Sequence, residues 1–381
     1  MAFDMNLVQR GARLKRSPFF AATQRHGAKA YTVYNHMLFP IRFADLEEEY
    51  WHLVRHVTLW DVAVERQVEI AGPDALALVD GLTPRDISRC RVGEGKYIAI
   101  TGAEGTVIND PVLLRLAEDR FWLSLADSDV LLWARAVALG SGLRVAISEP
   151  DVSPLQVQGP AAKDVVRALL GERILGLRYY QFIETSLEGM PLVVTRTGWT
   201  GELGYEIYLC DARRGDELWE RIMQAGSPYR IRPAGPSDIR RIEAGILNWG
   251  ADMTAEDNLY ELGLEWLIDE DKPADYIGRE ALLRIGREGV TRRLVGIEIS
   301  GERIEMNAVP WPVNARGEAA GRVTSAAWSP RLRKNIGYAM VSAAHAALDT
   351  RLEVEIPEIG AREATVVVKP FIDSKKEIPK Q

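Results

Sequence analysis

Two stretches of the chain repeat one another: Val68-Glu-Ile-Ala-Gly-Pro-Asp-Ala75 and Leu155-Gln-Val-Gln-Gly-Pro-Ala-Ala162 each run from a short strand pattern through Gly-Pro into a helical pattern. A fold for this sequence must therefore hold two related α+β units. In each, proline is expected in the first helical turn, where its missing N–H is of little consequence. The helices are expected at Asp74–Leu82 and Ala161–Leu170.

Further elements follow from periodicity. Leu46, Tyr50, Leu53, Val54 and Val57 fall at helical spacing, so Asp45–Trp60 reads as an amphipathic helix with Glu47, Glu48 and Glu49 near its N-terminus, where the helix dipole favours them. Val107–Leu116, Phe121–Leu125 and Arg144–Ser148 read as strands, and Ser128–Leu139, Asp216–Ala225 and Ser237–Leu247 as helices. After Lys272 the texture changes to short β-rich runs, Arg293–Ile299, Gly321–Ser325, Ile336–Val341, Leu352–Ile356 and Thr365–Val368, whose spacing predicts a small β-barrel or sandwich. The fold class is α+β. Three domains are expected, at residues 1–150, 151–285 and 286–381, and 381 residues of which 47% are hydrophobic suffice for several cores.

Composition narrows the function classes. A net charge of −7 argues against non-specific nucleic-acid binding, which rests on phosphate neutralisation. Two cysteines, Cys90 and Cys210, are too few and too far apart for a disulfide framework or a thiolate metal site, and fit a reducing compartment. No apolar run approaches the roughly 18 residues of a membrane span, and Met1–Gln9 lacks the apolar core of a secretory signal. The basic segment Arg10–Arg16 leaves a transit peptide open. The cytoplasm is the expected location, with neither membrane nor nucleic acid as partner. Among the five histidines only His52 and His56 share a helical face, and a pair without a third ligand predicts no metal site. No Walker loop, Rossmann glycine fingerprint, Gly-x-Ser-x-Gly elbow or His-Glu-x-x-His helix occurs.

Two segments carry candidate chemistry. Thr195-Arg-Thr-Gly-Trp-Thr-Gly-Glu-Leu-Gly-Tyr-Glu-Ile-Tyr208 predicts a hairpin whose glycines at 198, 201 and 204 permit unusual backbone. Along its returning strand Tyr205, Ile207 and Leu209 face one way and Glu206 and Tyr208 the other. The hairpin either brings Trp199 and Glu206 into one pocket or is an ordinary turn with a solvated glutamate. In Gly105-Thr-Val-Ile-Asn-Asp-Pro-Val112 the Asp-Pro pair interrupts a strand pattern, so Asp110 either projects away from the ladder or forms a plain turn.

The hairpin resembles the Arg-Thr-Gly-Tyr-Thr-Gly-Glu-x-Gly-Phe-Glu signature of the glycine-cleavage T-protein (aminomethyltransferase) superfamily, with Trp199 in place of tyrosine. Tyr179-Tyr180-x-Phe182, Asp238-Ile-Arg-Arg-Ile-Glu-Ala-Gly245, Asn248-Trp-Gly-Ala-Asp-Met253, Tyr260-Glu-Leu-Gly-Leu-Glu-Trp266 and Ser329-Pro-Arg-Leu-Arg-Lys334 continue the match in family order over nearly the whole chain. Lys15-Arg-Ser-Pro-Phe-Phe20 resembles the opening of mature family members. The resemblance implies two related α+β domains and a C-terminal barrel around a central tetrahydrofolate site. It places Asp110 near the reactive folate nitrogens as the catalytic residue, although the family's preceding aspartate is Asn109 here. It sets Tyr97, Tyr180, Trp199 and Arg241 beside the folate and Glu206 against the pterin's amino-pyrimidine edge, where a carboxylate accepts two N–H bonds. Arg241 would anchor a carboxylate or orient Glu206, or else form an ordinary surface ion pair with Glu243. Arg331, Arg333 and Lys334 would meet the folate's glutamate tail, or form a solvated loop.

Within that superfamily, Tyr31-Thr-Val-Tyr-Asn-His-Met-Leu38, Trp60-Asp-Val-Ala-Val-Glu-Arg-Gln-Val68, Asn109-Asp-Pro-Val112, Ser124-Leu-Ala-Asp-Ser-Asp129 and Glu149-Pro-Asp-Val-Ser-Pro154 resemble the dimethylsulfoniopropionate demethylases, which transfer a methyl group to tetrahydrofolate. The hairpin differs, keeping T-protein wording where those enzymes often carry Ser-Lys-Gln-Gly-Gly-Phe-Glu. The resemblance implies transfer of a methyl group from a small sulfonium, quaternary ammonium or methoxy compound to N5 of tetrahydrofolate, without a metal. Tyr34, Asn35, His36, Tyr179 and Trp199 are the expected donor-binding residues, the aromatic rings favouring a cation. Two alternatives stand beside it: an aminomethyltransferase, which would need a lipoyl carrier protein, and a folate-binding regulatory protein without turnover.

Overall fold

The computed structural model describes residues 14–381; the readings of a leader segment at Met1–Gln9 and the first part of Arg10–Arg16 lie outside them. Two sheets, antiparallel but for one edge pair, and a closed barrel make up the frame. One sheet has five strands in the order Ala146–Ser148, Gln67–Ala71, Arg120–Ser124, Val112–Ala117 and Gly95–Tyr97. The other has six, Phe182–Leu187, Met190–Thr195, Gly204–Leu209, Ser153–Gln158, Thr58–Asp61 and Arg232–Pro233, the last pairing in parallel. The strand Thr58–Asp61 thus takes its place beside Ser153–Gln158, in the sheet built mostly from later sequence.

The internal repeat has a shared physical cause. In both copies the strand ends at a glycine with positive φ, Gly72 at +129° and Gly159 at +124°, and an added Cβ would fall 2.6 Å from the carbonyl oxygen of Arg144 or 2.5 Å from that of His56. Only glycine fits where the chain turns that closely. The helices begin at Ala75 and Ala162, so each proline stands ahead of the cap and not within the first helical turn. Each helix covers one face of its sheet: Leu78 and Val79 pack with Val68, Ile70 and Phe121, while Val165 and Val166 pack with Leu155, Val157 and Ile207. Side chains so buried contribute about 1.5–3 kcal/mol apiece.

The helix expected over Asp45–Trp60 stops early. It spans Leu46–Arg55, capped by the Asp45 side chain accepting from the Glu47 and Glu48 amides, and Thr58–Asp61 is a strand. Val57, Leu59 and Trp60 are buried, and these apolar positions prolonged the helical spacing. The expected strand Val107–Leu116 is broken at Asp110-Pro111 into Val107–Asn109 and Val112–Ala117.

The C-terminal β-rich region closes into a six-stranded barrel, Arg292–Ile299, Lys334–Ser342, Glu318–Ser329, Trp311–Ala315, Arg351–Ile356 and Gly360–Val367, the last returning to the first. The strand Trp311–Ala315 escaped the sequence reading because Pro312 and a register shift at Val313 and Asn314 blur its alternation. Ile297, Val313, Val323, Ala339 and Val354 fill the interior. The segment leaving the barrel runs back toward the six-stranded sheet, where Arg196 Nη2 donates to the Gln381 carbonyl at 2.7 Å.

Candidate active site

Register brings one row of side chains across the six-stranded sheet. Trp60 lies opposite Gln156, Gln156 opposite Glu206, and Glu206 opposite Thr195. All alternate away from the core face, where Leu59, Val157, Tyr205 and Ile207 pack. The row forms one wall of a cavity of about 490 Å³, and Trp60, Gln156, Glu206 and Trp199 all line it. The hairpin therefore does bring Trp199 and Glu206 together.

Glu206 is buried and well supplied with donors. It accepts from Gln156 Nε2 at 2.7 Å, Thr197 Oγ1 at 2.7 Å, the Tyr208 hydroxyl at 2.8 Å and Thr195 Oγ1 at 3.3 Å. Burial pushes its carboxyl above the ordinary range, and these four donors oppose the shift. The loop between its two strands covers residues 196–203. Of its glycines only Gly201 has positive φ, at +66°. Gly198 and Gly204 instead make room for the Gln158 amide, which would lie 2.1 and 2.2 Å from an added Cβ. That amide accepts from Thr200 Oγ1 at 2.7 Å and donates to the Thr197 carbonyl at 3.2 Å, pinning the loop that presents Trp199.

Asp110 lines the same cavity, at the break between two strands. The Tyr97 hydroxyl donates to its Oδ2 at 2.8 Å, while its Oδ1 is buried with no partner. Burial raises its carboxyl to about 7, and the tyrosine hydroxyl only partly opposes this. Asn109 points away and clasps the neighbouring loop, donating to Ala126 O at 3.1 Å and Ser128 Oγ at 2.8 Å. The break thus turns Asp110 into the cavity and ties its neighbour down behind.

Aromatic side chains supply much of the remaining wall. Tyr34, Tyr97, Tyr179 and Tyr180 all line the cavity. Tyr179 and Tyr180 meet edge-on with ring centroids 4.7 Å apart, and Tyr180 takes a positive φ of 65°.

Three expected positions require correction. Arg241 does not line the cavity and does not reach Glu206. It is buried, donating to Asp238 at 2.6 Å, Asp252 at 2.6 Å and Ser325 Oγ at 2.8 Å, with its guanidinium 5.5 Å from the Trp199 ring centroid. It neither orients Glu206 nor forms a surface ion pair: it backs the Trp199 ring and joins the second sheet's hairpin to the barrel. Asn35 and His36 also lie off the cavity. Both have positive φ, 49° and 61°, and form the two-residue turn between strands Ala30–Tyr34 and Met37–Arg42. That turn faces the loop at 126–129, where the Asn35 amide donates to Asp127 at 2.8 Å and His36 lies 3.5 Å from Asp129. Of that group only Tyr34, on the strand itself, reaches the cavity. In the basic loop, Arg331 pairs with Glu202 at 3.4 Å and Lys334 with Glu298 at 2.8 Å, and neither lines the cavity.

Other residues line the cavity without having been singled out in the sequence: Glu65, Gln156, Trp266, Lys369 and Lys376. Lys369 Nζ donates to the Leu262 carbonyl at 3.3 Å, and burial pulls its ammonium down to about 8. Glu65 falls within the segment Trp60–Val68 that separates the chain from T-proteins, a signal that marked the segment without marking the residue. The His52 and His56 rings lie with centroids 5.0 Å apart at a tilt of 50°, and among the described residues no group of three or more His, Cys, Asp or Glu side chains is placed to hold a metal. No helix among them is long and apolar enough to cross a membrane.

The cavity lining offers a carboxyl at Glu206 held by several donors, a carboxyl at Asp110 with one oxygen unpartnered, and several aromatic rings. Asp110 Oδ1 and Gln156 Oε1, both buried and unpartnered, face a cavity that would have to supply donors. A flat heterocycle with N–H groups on one edge suits these demands.

Residues 19–272 match the family described as GCVT N-terminal domain, and residues 292–373 the one described as glycine cleavage T-protein C-terminal barrel domain. The chain is 42% identical over 354 residues to the dimethylsulfoniopropionate demethylase DmdA of Ruegeria pomeroyi, covering 93% of this chain and 96% of that protein. It is 30% identical over 369 residues to an aminomethyltransferase of Bacillus mycoides, covering 95% and 99%. In fold it is similar to the glycine cleavage system aminomethyltransferase T of Bartonella henselae, with a TM-score of 0.85 at 23% identity over 94% of this chain and 98% of that one.

Proposed function

Since the chain belongs to the glycine cleavage T-protein family, we propose that it is a tetrahydrofolate-dependent methyltransferase that demethylates a small methylated donor, dimethylsulfoniopropionate being the leading candidate. The observation that carries this reading is that Glu206 and Asp110 line one cavity, in a chain 42% identical to a dimethylsulfoniopropionate demethylase.

Glu206 would hold the amino-pyrimidine edge of the pterin, its position set by Thr197, Tyr208 and Gln156. Tyr97, Tyr180 and Trp199 would flank the ring system, and Asp110 would stand near its reactive nitrogens. Tetrahydrofolate, when bound, supplies the N5 lone pair that accepts the methyl group. The protein's work is chiefly positioning, which holds donor and acceptor in line and contributes at most about 7–11 kcal/mol. Asp110 takes up the acceptor's N–H proton directly or through water, a role suited to a carboxylate raised to about 7. Tyr34, Tyr179 and Trp199 present ring faces to a cationic donor. Arg241 contributes by backing Trp199, and Asn35 and His36 by shaping the turn that follows Tyr34.

Dimethylsulfoniopropionate and tetrahydrofolate are thus the small-molecule partners, and the cytoplasm is the compartment that suits the free thiols Cys90 and Cys210. The hairpin wording Thr200-Gly-Glu-Leu-Gly-Tyr-Glu206 favours one second reading, an aminomethyltransferase acting with a lipoyl carrier protein. Incubation with tetrahydrofolate and dimethylsulfoniopropionate separates the two: the first reading expects 5-methyltetrahydrofolate and 3-(methylthio)propionate. Turnover only with an aminomethylated lipoyl carrier would favour the second.

A further inference from the structure

Glu206 shares its wall with a second carboxylate. Glu65 leaves the strand Thr58–Asp61 in a tight turn, its amide donating to the Val62 carbonyl at 2.9 Å, and its side chain lines the same cavity. The Gln156 amide bridges the two acids, donating to Glu206 at 2.7 Å and to Glu65 at 3.3 Å.

The two acids differ in how far their acceptor capacity is met. Glu206 receives four donors, whereas Glu65 has only the long contact from Gln156 and another of 3.3 Å from Ser124 Oγ. No lysine, arginine or histidine among the described residues pairs with Glu65. Burial, with the carboxyls of Glu206 and Asp110 nearby, pushes the Glu65 carboxyl well above the ordinary range, and a cation arriving beside it would favour its charged form. Tyr34, Trp60 and Trp199 line the same cavity, and aromatic faces attract a cation that has no N–H to donate.

We propose that Glu65 is a specificity-determining residue for the methyl donor, supplying the counter-charge to a sulfonium or quaternary ammonium centre while Glu206 serves the acceptor. This rests on the functional reading above. The division follows from the number of donors at each acid: Glu206 is already ordered for a fixed hydrogen-bonding edge, and Glu65 retains capacity for a diffuse positive charge.

The charge changes during transfer in a way that Glu65 can sense. The bond from sulfur to the methyl carbon breaks with its electron pair left on sulfur, the new bond forms from the acceptor nitrogen's lone pair, and the acceptor's N–H proton passes through Asp110 or water to solvent. The sulfur centre begins positive and ends as a neutral thioether. Glu65 therefore holds the donor more strongly than the demethylated product and favours exchange of one for the other.

The test compares two ligands of nearly equal shape, dimethylsulfoniopropionate and 4-methylpentanoate, which has a neutral carbon in place of the sulfonium. Binding of each, and of tetrahydrofolate, is measured calorimetrically on the wild-type chain, Glu65→Gln and Glu65→Asp. The wild type is expected to prefer the sulfonium, and Glu65→Gln to lose about tenfold or more of that preference while 4-methylpentanoate and tetrahydrofolate bind within about twofold of wild type. Glu65→Asp keeps the charge and is expected to fall between. Equal weakening of both ligands, an unchanged ratio, or a wild type without preference overturns the assignment. Production of 5-methyltetrahydrofolate by the wild type is scored separately: its absence defeats the functional reading, whereas an unchanged ratio in a chain that makes the product defeats the role of Glu65 alone.

Discussion

Asp110 shows how one buried carboxyl links function to stability. An aspartate ordinarily titrates near 3.8, and here burial raises the group to about 7. The folded state therefore binds this proton more tightly than the unfolded chain. Stability contributed at this site falls as pH rises from about 4 to about 7, and the penalty is complete above that. Asp110→Asn should accordingly raise the melting temperature relative to wild type at pH 8, and the gain should shrink toward pH 5; a gain independent of pH would contradict the assignment. The same substitution removes the proton acceptor. Wild-type kcat/KM should rise with pH through about 7, and the variant should lose that limb together with about a hundredfold or more in rate, while still binding folate. Glu206→Ala should do the reverse, weakening folate binding by about 3 kcal/mol through loss of charge-assisted hydrogen bonds. Equal loss of folate binding in the two variants, read by titration calorimetry, would undo this division of labour.

At the scale of elements, the repeated strand-Gly-Pro-helix units were legible because each is local: alternation, a glycine with positive φ and a proline-led helix start all lie within eight residues. The Glu206 strand was legible for the same reason, its period of two holding without a break from Tyr205 to Leu209. The hairpin glycines were only half legible, since Gly198 and Gly204 are small on account of Gln158, a residue on another strand. Gly198→Ala or Gly204→Ala should displace that amide and destabilise the chain by about 1–3 kcal/mol, seen as an earlier denaturant midpoint. A neutral effect would show that the loop tolerates a shifted Gln158. The role of Arg241 had to be corrected, because the apolar and charged spacing around it does not reveal Asp252 or the barrel residue Ser325 as its partners. Arg241→Gln leaves Asp252 without its cation and should lower stability by about 3–5 kcal/mol. A variant of wild-type stability that lost only folate affinity would restore Arg241 to the folate site.

For the whole molecule, the cavity is assembled from residues as distant in sequence as Tyr34, Asp110, Glu206 and Lys369. Family order pointed to the first three, and long-range pairing joined them: Trp60 reaches Gln156 and Glu206 only through strand register. Lys369 and Lys376 carried no sequence signal, because nothing local says that the chain returns from the barrel to the six-stranded sheet. Since folate would bridge these separate elements, its binding should stabilise them together. At a hundred times its Kd, tetrahydrofolate should add about 2.7 kcal/mol to unfolding, and the increment should vanish in Glu206→Ala at the same ligand concentration. The central claim is methyl transfer to folate, and mass spectrometry of the products formed from dimethylsulfoniopropionate and tetrahydrofolate tests it most directly. The account predicts equal amounts of 5-methyltetrahydrofolate and 3-(methylthio)propionate; absence of both, with 5,10-methylenetetrahydrofolate formed only from an aminomethylated lipoyl carrier, would contradict it.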